Sequence, residues 1–199
     1  MFDRATAIDD AFRKRVAEGD LPPRRSNANS SHAVTSAQLV DLFDSQIMSR
    51  QLDLWARRSK GKTFYSIGSS GHEGTAALAA ASRNTDMAFL HYRDGAFLIH
   101  RKKQQGGLTP LYDMALSFAA SADDPISGGR HKVLGCAQTF VPPQTSTIAS
   151  HLPKAVGAAH SLGMAQRLKL DGRVMPDDAI ILCSFGDASA NHSTSQGAF

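Results

Sequence analysis

Three short stretches carry side chains able to do chemistry. In CSFGDASANH an apolar run, Ala179-Ile180-Ile181-Leu182-Cys183-Ser184-Phe185, leads into Gly186-Asp187. A carboxylate just past a buried strand can offer oxygen to a hard cation such as Mg2+, and the same Gly-Asp-Ala-Ser suits a turn or a helix N-cap. In HYRD, Tyr92 supplies a hydroxyl and Arg93 a planar guanidinium fork that matches phosphate. An ion pair of Arg93 with Asp94 or another neighbouring acid would use these residues structurally instead. PPQTSTIASHLPK masses hydroxyls and carbonyls ahead of a helix. Its oxygens could ring a cation and Ser146 could donate to a ligand, or the stretch could be an ordinary Ser/Thr turn.

Other residues read as structural. Glu73 follows Gly71-His72 at a helix start, where a carboxylate complements the dipole. Cys183 within a strand reads as a small buried hydrophobe. GSSGHEG lacks the Gly-x-Ser-x-Gly pattern of a nucleophile elbow. His72, His91, His131, His151, His160 and His192 show neither a helical HxxxH nor a finger spacing, so no zinc site is expected.

The elements that must position these groups follow from pattern. A helix over 5–19 gives way to Pro22-Pro23-Arg24-Arg25 and SNANSSH, and residues 1–34 read as a mobile leader. Thr35-Ser36-Ala37-Gln38 has the form of a capping box. Leu39, Val40, Phe43, Ile47 and Leu54-Trp55 then mark an apolar stripe on a helix that ends in Arg57, Arg58, Lys60 and Lys62. Helices are expected at 76–82, 96–101, 110–120 and 153–170, and strands at 87–90 and 179–185. The Gly/Pro/Ser/Thr-rich span 121–150 reads as one long loop, functional or mobile. The alternation of strands and helices argues for an α/β fold with a parallel sheet, whose ligand crevice lies beyond the strand ends.

Composition bounds the partners. The 199 residues are 42% hydrophobic and 20% charged with a net charge of +4, which admits an anionic ligand and fits one globular domain. No long basic run or aromatic platform points to nucleic acid, and no apolar stretch reaches the roughly 20 residues of a membrane span. Two cysteines without CxxC spacing and an N-terminus without an apolar core place the chain in a reducing, cytoplasmic setting.

Taken together, FYSIGSSGHEGTAALAAASRNTDMAFLHYRDGAFLIHR, GRHKVLGCAQTFVPPQTSTIASHLPKAVGAAHSLGMAQRL and CSFGDASANHSTSQGAF resemble the alpha subunit of thiamine-diphosphate-dependent 2-oxoacid dehydrogenases of the branched-chain type. These stretches keep the family's order and cover most of residues 35–199. The resemblance implies the thiamine-diphosphate-binding fold, incomplete at the C-terminus. It places Tyr92, Arg93 and Ser146 at the cofactor, Asp187 as the Mg2+ ligand, and Ala188 and Ser189 along the same turn. It puts a K+ ion at the loop of Thr145, Thr147, Ser150 and His151, with His151 standing where those relatives have glutamine. Ala188 replaces the second glycine of Gly-Asp-Gly, an exchange compatible with a ligand turn where φ is negative.

The activity so implied is oxidative decarboxylation of a branched-chain 2-oxoacid, with thiamine diphosphate as electron sink and acyl transfer to lipoyl groups. The implied partners are a beta subunit, separate or fused, which supplies the activating glutamate, and a lipoyl-bearing acyltransferase. A pyruvate-specific alpha subunit is the alternative within the family. A non-catalytic fragment or interaction module is the alternative outside it. The motif's Asn-containing second half and its later loop histidine have no counterpart here, so the chain is expected to stop before its partner ligands, to be inactive alone and to expose an apolar edge or helix face.

Overall fold

The computed structural model describes residues 3–23, 34–59, 61–63, 68–172 and 174–199. Two compact units divide it, Met1–Asp41 and Leu42–Phe199.

In the first unit, α1 spans Arg4–Glu18. The Asp3 carboxylate accepts from the Ala5 amide at 3.0 Å at its start, and Gly19, at φ +68°, ends it in the left-handed conformation glycine adopts freely. Residues 24–33 of the expected leader lie outside the described residues. The capping box forms as read: the Gln38 amide donates to Thr35 Oγ1 at 3.2 Å and the Thr35 amide to Gln38 Oε1 at 2.7 Å. It starts α2, Ser36–Arg58, which continues into the second unit.

The remaining elements run α3 (Thr75–Ala80), β1 (Met87–Phe89), α4 (Gly95–Gln105), α5 (Pro110–Phe118), β2 (Leu134–Cys136), β3 (Val141–Gln144), α6 (Leu152–Arg167), β4 (Ile181–Cys183), α7 (Asp187–Ala190) and α8 (Ser193–Gln196). The fold is mixed α/β with a small parallel sheet: β1 pairs with β4, Ala88 opposite Leu182. Leu52, Ala88, Leu90, Phe97, Phe118 and Leu134 belong to one buried cluster. Burying each of its large side chains contributes roughly 1.5–3 kcal/mol.

One expectation needs correction. The span 121–150 is not one loop, because β2 and β3 form an antiparallel hairpin around a 3-10 turn at Ala137–Thr139. Phe140 closes that turn at φ +51°, and the ladder carries an irregularity between Leu134 and Cys136. Its prolines, Pro142 and Pro143, lie in a strand that pairs with β2 alone, where a missing N–H is tolerated. On α2 the structure adds which residues are buried. Its buried residues beyond residue 41 are Ser45, Ser49, Leu52, Asp53, Leu54 and Ala56, so Leu54 of the apolar stripe is buried, whereas Phe43 and Trp55 are 50% and 41% exposed. The small hydroxyls face α4, with Ser45 Oγ 3.0 Å from His100 Nδ1. Ile47 and Trp55 of the stripe line an open groove of about 480 Å³ with Leu111 and Tyr112 of α5.

The N-terminal ends of the parallel pair are registered by Asp86. Its carboxylate accepts from the Ile180 amide at 3.1 Å, the Arg83 amide at 2.9 Å and Arg83 Nη2 at 3.0 Å. Burial pushes this carboxyl up, but the bonds from Arg83 and the two amides outweigh it and hold it below its usual value. A depressed carboxylate contributes stability that is present above the unfolded pKa and lost as pH falls through the folded one. Asp86→Asn is therefore expected to cost about 1–3 kcal/mol at neutral pH and to flatten the acid limb of the stability profile, as read by urea denaturation at pH 7 and below pH 4.

Candidate functional site

Three connections converge at the C-terminal ends of β1 and β4. The first, 90–94, leaves β1. Its His91 amide donates to Ser184 Oγ at 2.9 Å and to Asp94 Oδ2 at 3.1 Å. The second, 184–187, leaves β4. The Ser184 amide donates to the Phe89 carbonyl at 3.1 Å, and its hydroxyl donates to Asp94. The third, 145–151, links β3 to α6 and is anchored by His151, whose Nε2 lies 2.7 Å from the Ser184 carbonyl. Ser184 thus ties all three together.

Tyr92 and Arg93 sit on the first connection. The guanidinium of Arg93 lies 5.2 Å from the centre of the Tyr92 ring and donates to the Gly68 carbonyl at 2.9 Å. The Arg93–Asp94 ion pair admitted by the sequence does not form, because both Asp94 oxygens face other groups. Behind the loop, buried Lys132 donates to the Tyr92 carbonyl at 3.1 Å. Burial lowers its pKa to about 8, against the pull of Asp53. His91 is driven down to about 4, first by burial, so it is neutral at pH 7.

Asp187 opens α7, exposed, one residue after Gly186. It is the first helical residue and makes no capping bond, so the cap reading does not describe it. Ala188 lies within this turn of helix and is not among the residues with positive φ, so the exchange of glycine for alanine costs nothing in the backbone here. Ser189 is buried. Gly186 packs on the loop from β1: a Cβ there would lie 3.3 Å from His91 Nε2.

On the third connection, Thr145 Oγ1 donates to Thr147 Oγ1 at 3.0 Å and Ser150 Oγ to the Thr147 carbonyl at 3.1 Å. These residues form one oxygen-bearing loop. Ser146 lies between them, half-buried. His151 turns its ring to Ser184 rather than into that oxygen set.

The donor chemistry fits the groups the resemblance implies. A guanidinium beside a tyrosine on one connection, and a carboxylate on the next, suit a diphosphate and a hard cation. The 145–150 hydroxyls and carbonyls suit a larger alkali cation.

Sequence reasoning passed over Ser184, Lys132, His72 and the buried role of Asp94. His72 stacks on His91 with centroids 5.0 Å apart, and its Nδ1 lies 3.1 Å from Asp94 Oδ1. Glu73 behaves as expected: it takes Arg50 at 2.5 Å and the Gly71 amide at 2.9 Å, fixing the turn ahead of α3. Cys183 is half-buried, and burial raises its thiol pKa to about 11.

No family model matches the chain. Over 87% of its length it is similar to the mitochondrial 2-oxoisovalerate dehydrogenase subunit alpha of Mus musculus, at 24% identity, and of Homo sapiens, at 23%. The Bos taurus subunit is 22% identical. The chain spans 36% of the length of the mouse and human relatives. The names of these relatives place them in mitochondria, unlike the cytoplasmic setting read from the sequence. Among the described residues no helix is long and apolar enough to cross a membrane.

Proposed function

We propose that this chain provides the diphosphate-holding part of the alpha subunit of a 2-oxoacid dehydrogenase, with a branched-chain 2-oxoacid as substrate of the whole assembly. The observation that carries the reading is the meeting of the Tyr92-Arg93 loop and the Gly186-Asp187 turn at one end of the β1–β4 pair, bonded through Ser184. The similarity to 2-oxoisovalerate dehydrogenase alpha subunits supports it.

In this reading Arg93 neutralises phosphate charge and Tyr92 adds a hydroxyl, while Asp187 offers a hard oxygen to Mg2+ and Ser146, Ala188 and Ser189 border the cofactor. Thr145, Thr147 and Ser150 would hold K+. Bound thiamine diphosphate supplies the electron sink for decarboxylation. The residues of this chain bind and orient it. A beta subunit and a lipoyl-bearing acyltransferase complete the proposed assembly.

Titration of the isotope-labelled chain with thiamine diphosphate and Mg2+, followed by amide NMR, tests the reading. Shifts are expected at 92–94, 145–147 and 186–189, with affinity weaker than micromolar, since Asp187 is the one carboxylate of its turn. Arg93→Ala is expected to weaken binding about 10-fold or more, the value of a charge-assisted phosphate contact. Shifts located elsewhere, or an affinity indifferent to Arg93→Ala, would reject it.

A further inference from the structure

We propose that His72, His91 and Asp94 form a binding site for one divalent transition-metal ion of the zinc and cobalt class. One ligand atom from each residue lies within 4.8 Å of the others. Around a single ion with bonds of about 2.0–2.2 Å ligand atoms stand somewhat closer than this, and the in-plane lone pairs of two rings stacked at 18° with centroids 5.0 Å apart do not converge, so one imidazole must close in and turn its ring. His72 has that freedom, because its side chain is 31% exposed while that of Asp94 is 1% exposed.

Three features mark the cluster as more than packing. The ring nitrogen Nδ1 of His91 is buried and has no hydrogen-bond partner, a costly state that a metal bond would relieve. Asp94 is oriented as ligating carboxylates are: Oδ2 is held by the His91 amide and the Ser184 hydroxyl, leaving Oδ1 toward His72. His72 Nδ1 and Asp94 Oδ1 stand 3.1 Å apart, a contact that a metal ion in place of the ring proton would convert into two metal bonds.

Two imidazoles and one carboxylate are a borderline donor set, suited to Zn2+ or Co2+ and poor for Mg2+. Local charge does not forbid the ion. Arg50 is paired with Glu73 at 2.5 Å, and Arg93, a cation whose charge acts on His91, donates to the Gly68 carbonyl. Three protein ligands leave a fourth position for water. The ion would join the turn ahead of α3 to the loop after β1. The site uses none of the residues assigned to the diphosphate, although His91 and Asp94 flank Tyr92-Arg93 on one connection.

The full chain, stripped with a chelator, is titrated with Co2+ and followed by visible d–d absorption, then challenged with Zn2+. One equivalent of Co2+ is expected to develop the bands, Zn2+ to bleach them, and Zn2+ to raise the melting temperature. His72→Ala and Asp94→Asn, each checked for folding by circular dichroism, are expected to weaken binding about 100-fold or more, beyond the loss that accompanies removal of an outer-shell partner. His160→Ala, on the exposed face of α6, should leave the affinity unchanged. Absence of the bands, or an affinity indifferent to His72→Ala and Asp94→Asn, would each overturn the proposal.

Discussion

Arg101→Met is expected to destabilise the second unit by about 3–5 kcal/mol, the cost of stranding buried partners of a lost charge. Arg101 is 0% exposed and lies on α4. Its Nη1 donates to the Asp86 carbonyl at 2.7 Å and the Thr139 carbonyl at 3.0 Å. Its Nη2 donates to the Arg83 carbonyl at 2.9 Å and to Ser82 Oγ at 3.0 Å. Its guanidinium also lies 4.7 Å from the centre of the Phe97 ring. One side chain therefore satisfies the connection between α3 and β1 and the 3-10 turn of the hairpin.

Burial lowers the Arg101 pKa to about 10, opposed by Asp86, so the group is still charged at pH 7. Methionine fills much of the volume but donates nothing, leaving three carbonyls and a hydroxyl without this donor. Arg101→Lys keeps the charge, reaches fewer acceptors and should recover only part of the loss. Urea denaturation followed through Trp55, the single tryptophan, reads the difference. At roughly 2–4 °C per kcal/mol, the melting temperature should fall by roughly 10 °C. A loss below about 1 kcal/mol would mean that the four acceptors find other donors, against the known cost of unsatisfied buried groups.

Local chemistry was legible in the sequence wherever one element decides it. The capping box at Thr35 needs four consecutive residues, and it forms. The apolar runs at Met87 and Ile181 were readable as strands, and the alternation with helices argued for a parallel sheet. The hairpin of β2 and β3 was not readable, because Gly135, Pro142 and Pro143 erase the alternation that signals a strand. The buried face of α2 was not readable for a different reason. Periodicity locates a stripe, but partner geometry decides which stripe is buried, and Ser45 and Ser49 reach α4 where Phe43 does not.

The candidate site divides along the same line. Tyr92-Arg93 and Gly186-Asp187 stand just past strands and were readable as end-of-strand loops. That they share one mouth depends on the β1–β4 pairing, which no local signal records. The cluster of His72, His91 and Asp94 was invisible for the same reason: His72 belongs to the turn before α3 and the other two to the loop after β1, so no metal-ligand spacing exists to find.

Asp94→Ala should be nearly as damaging as loss of Arg101, at about 3 kcal/mol or more, because it strips partners from three groups at once. The His91 amide, the Ser184 hydroxyl and His72 Nδ1 all face this carboxylate. Asp94→Asn separates the roles. An amide can keep its oxygen toward the His91 amide and Ser184 and turn its NH2 toward His72, whose neutral ring can accept at Nδ1. The asparagine variant should therefore retain most of the stability while losing the anionic oxygen that a metal ion requires. Ser184→Ala removes one of the facing donors, and the Ser184/Asp94 double-mutant cycle should give a coupling of about 0.5–3 kcal/mol, as for residues of one buried network. Equal destabilisation by alanine and asparagine would make the charge itself the structural element. A coupling near zero would mean that Ser184 holds the two strand ends together through its backbone alone, by the Ser184 amide on Phe89 and the Ser184 carbonyl at His151.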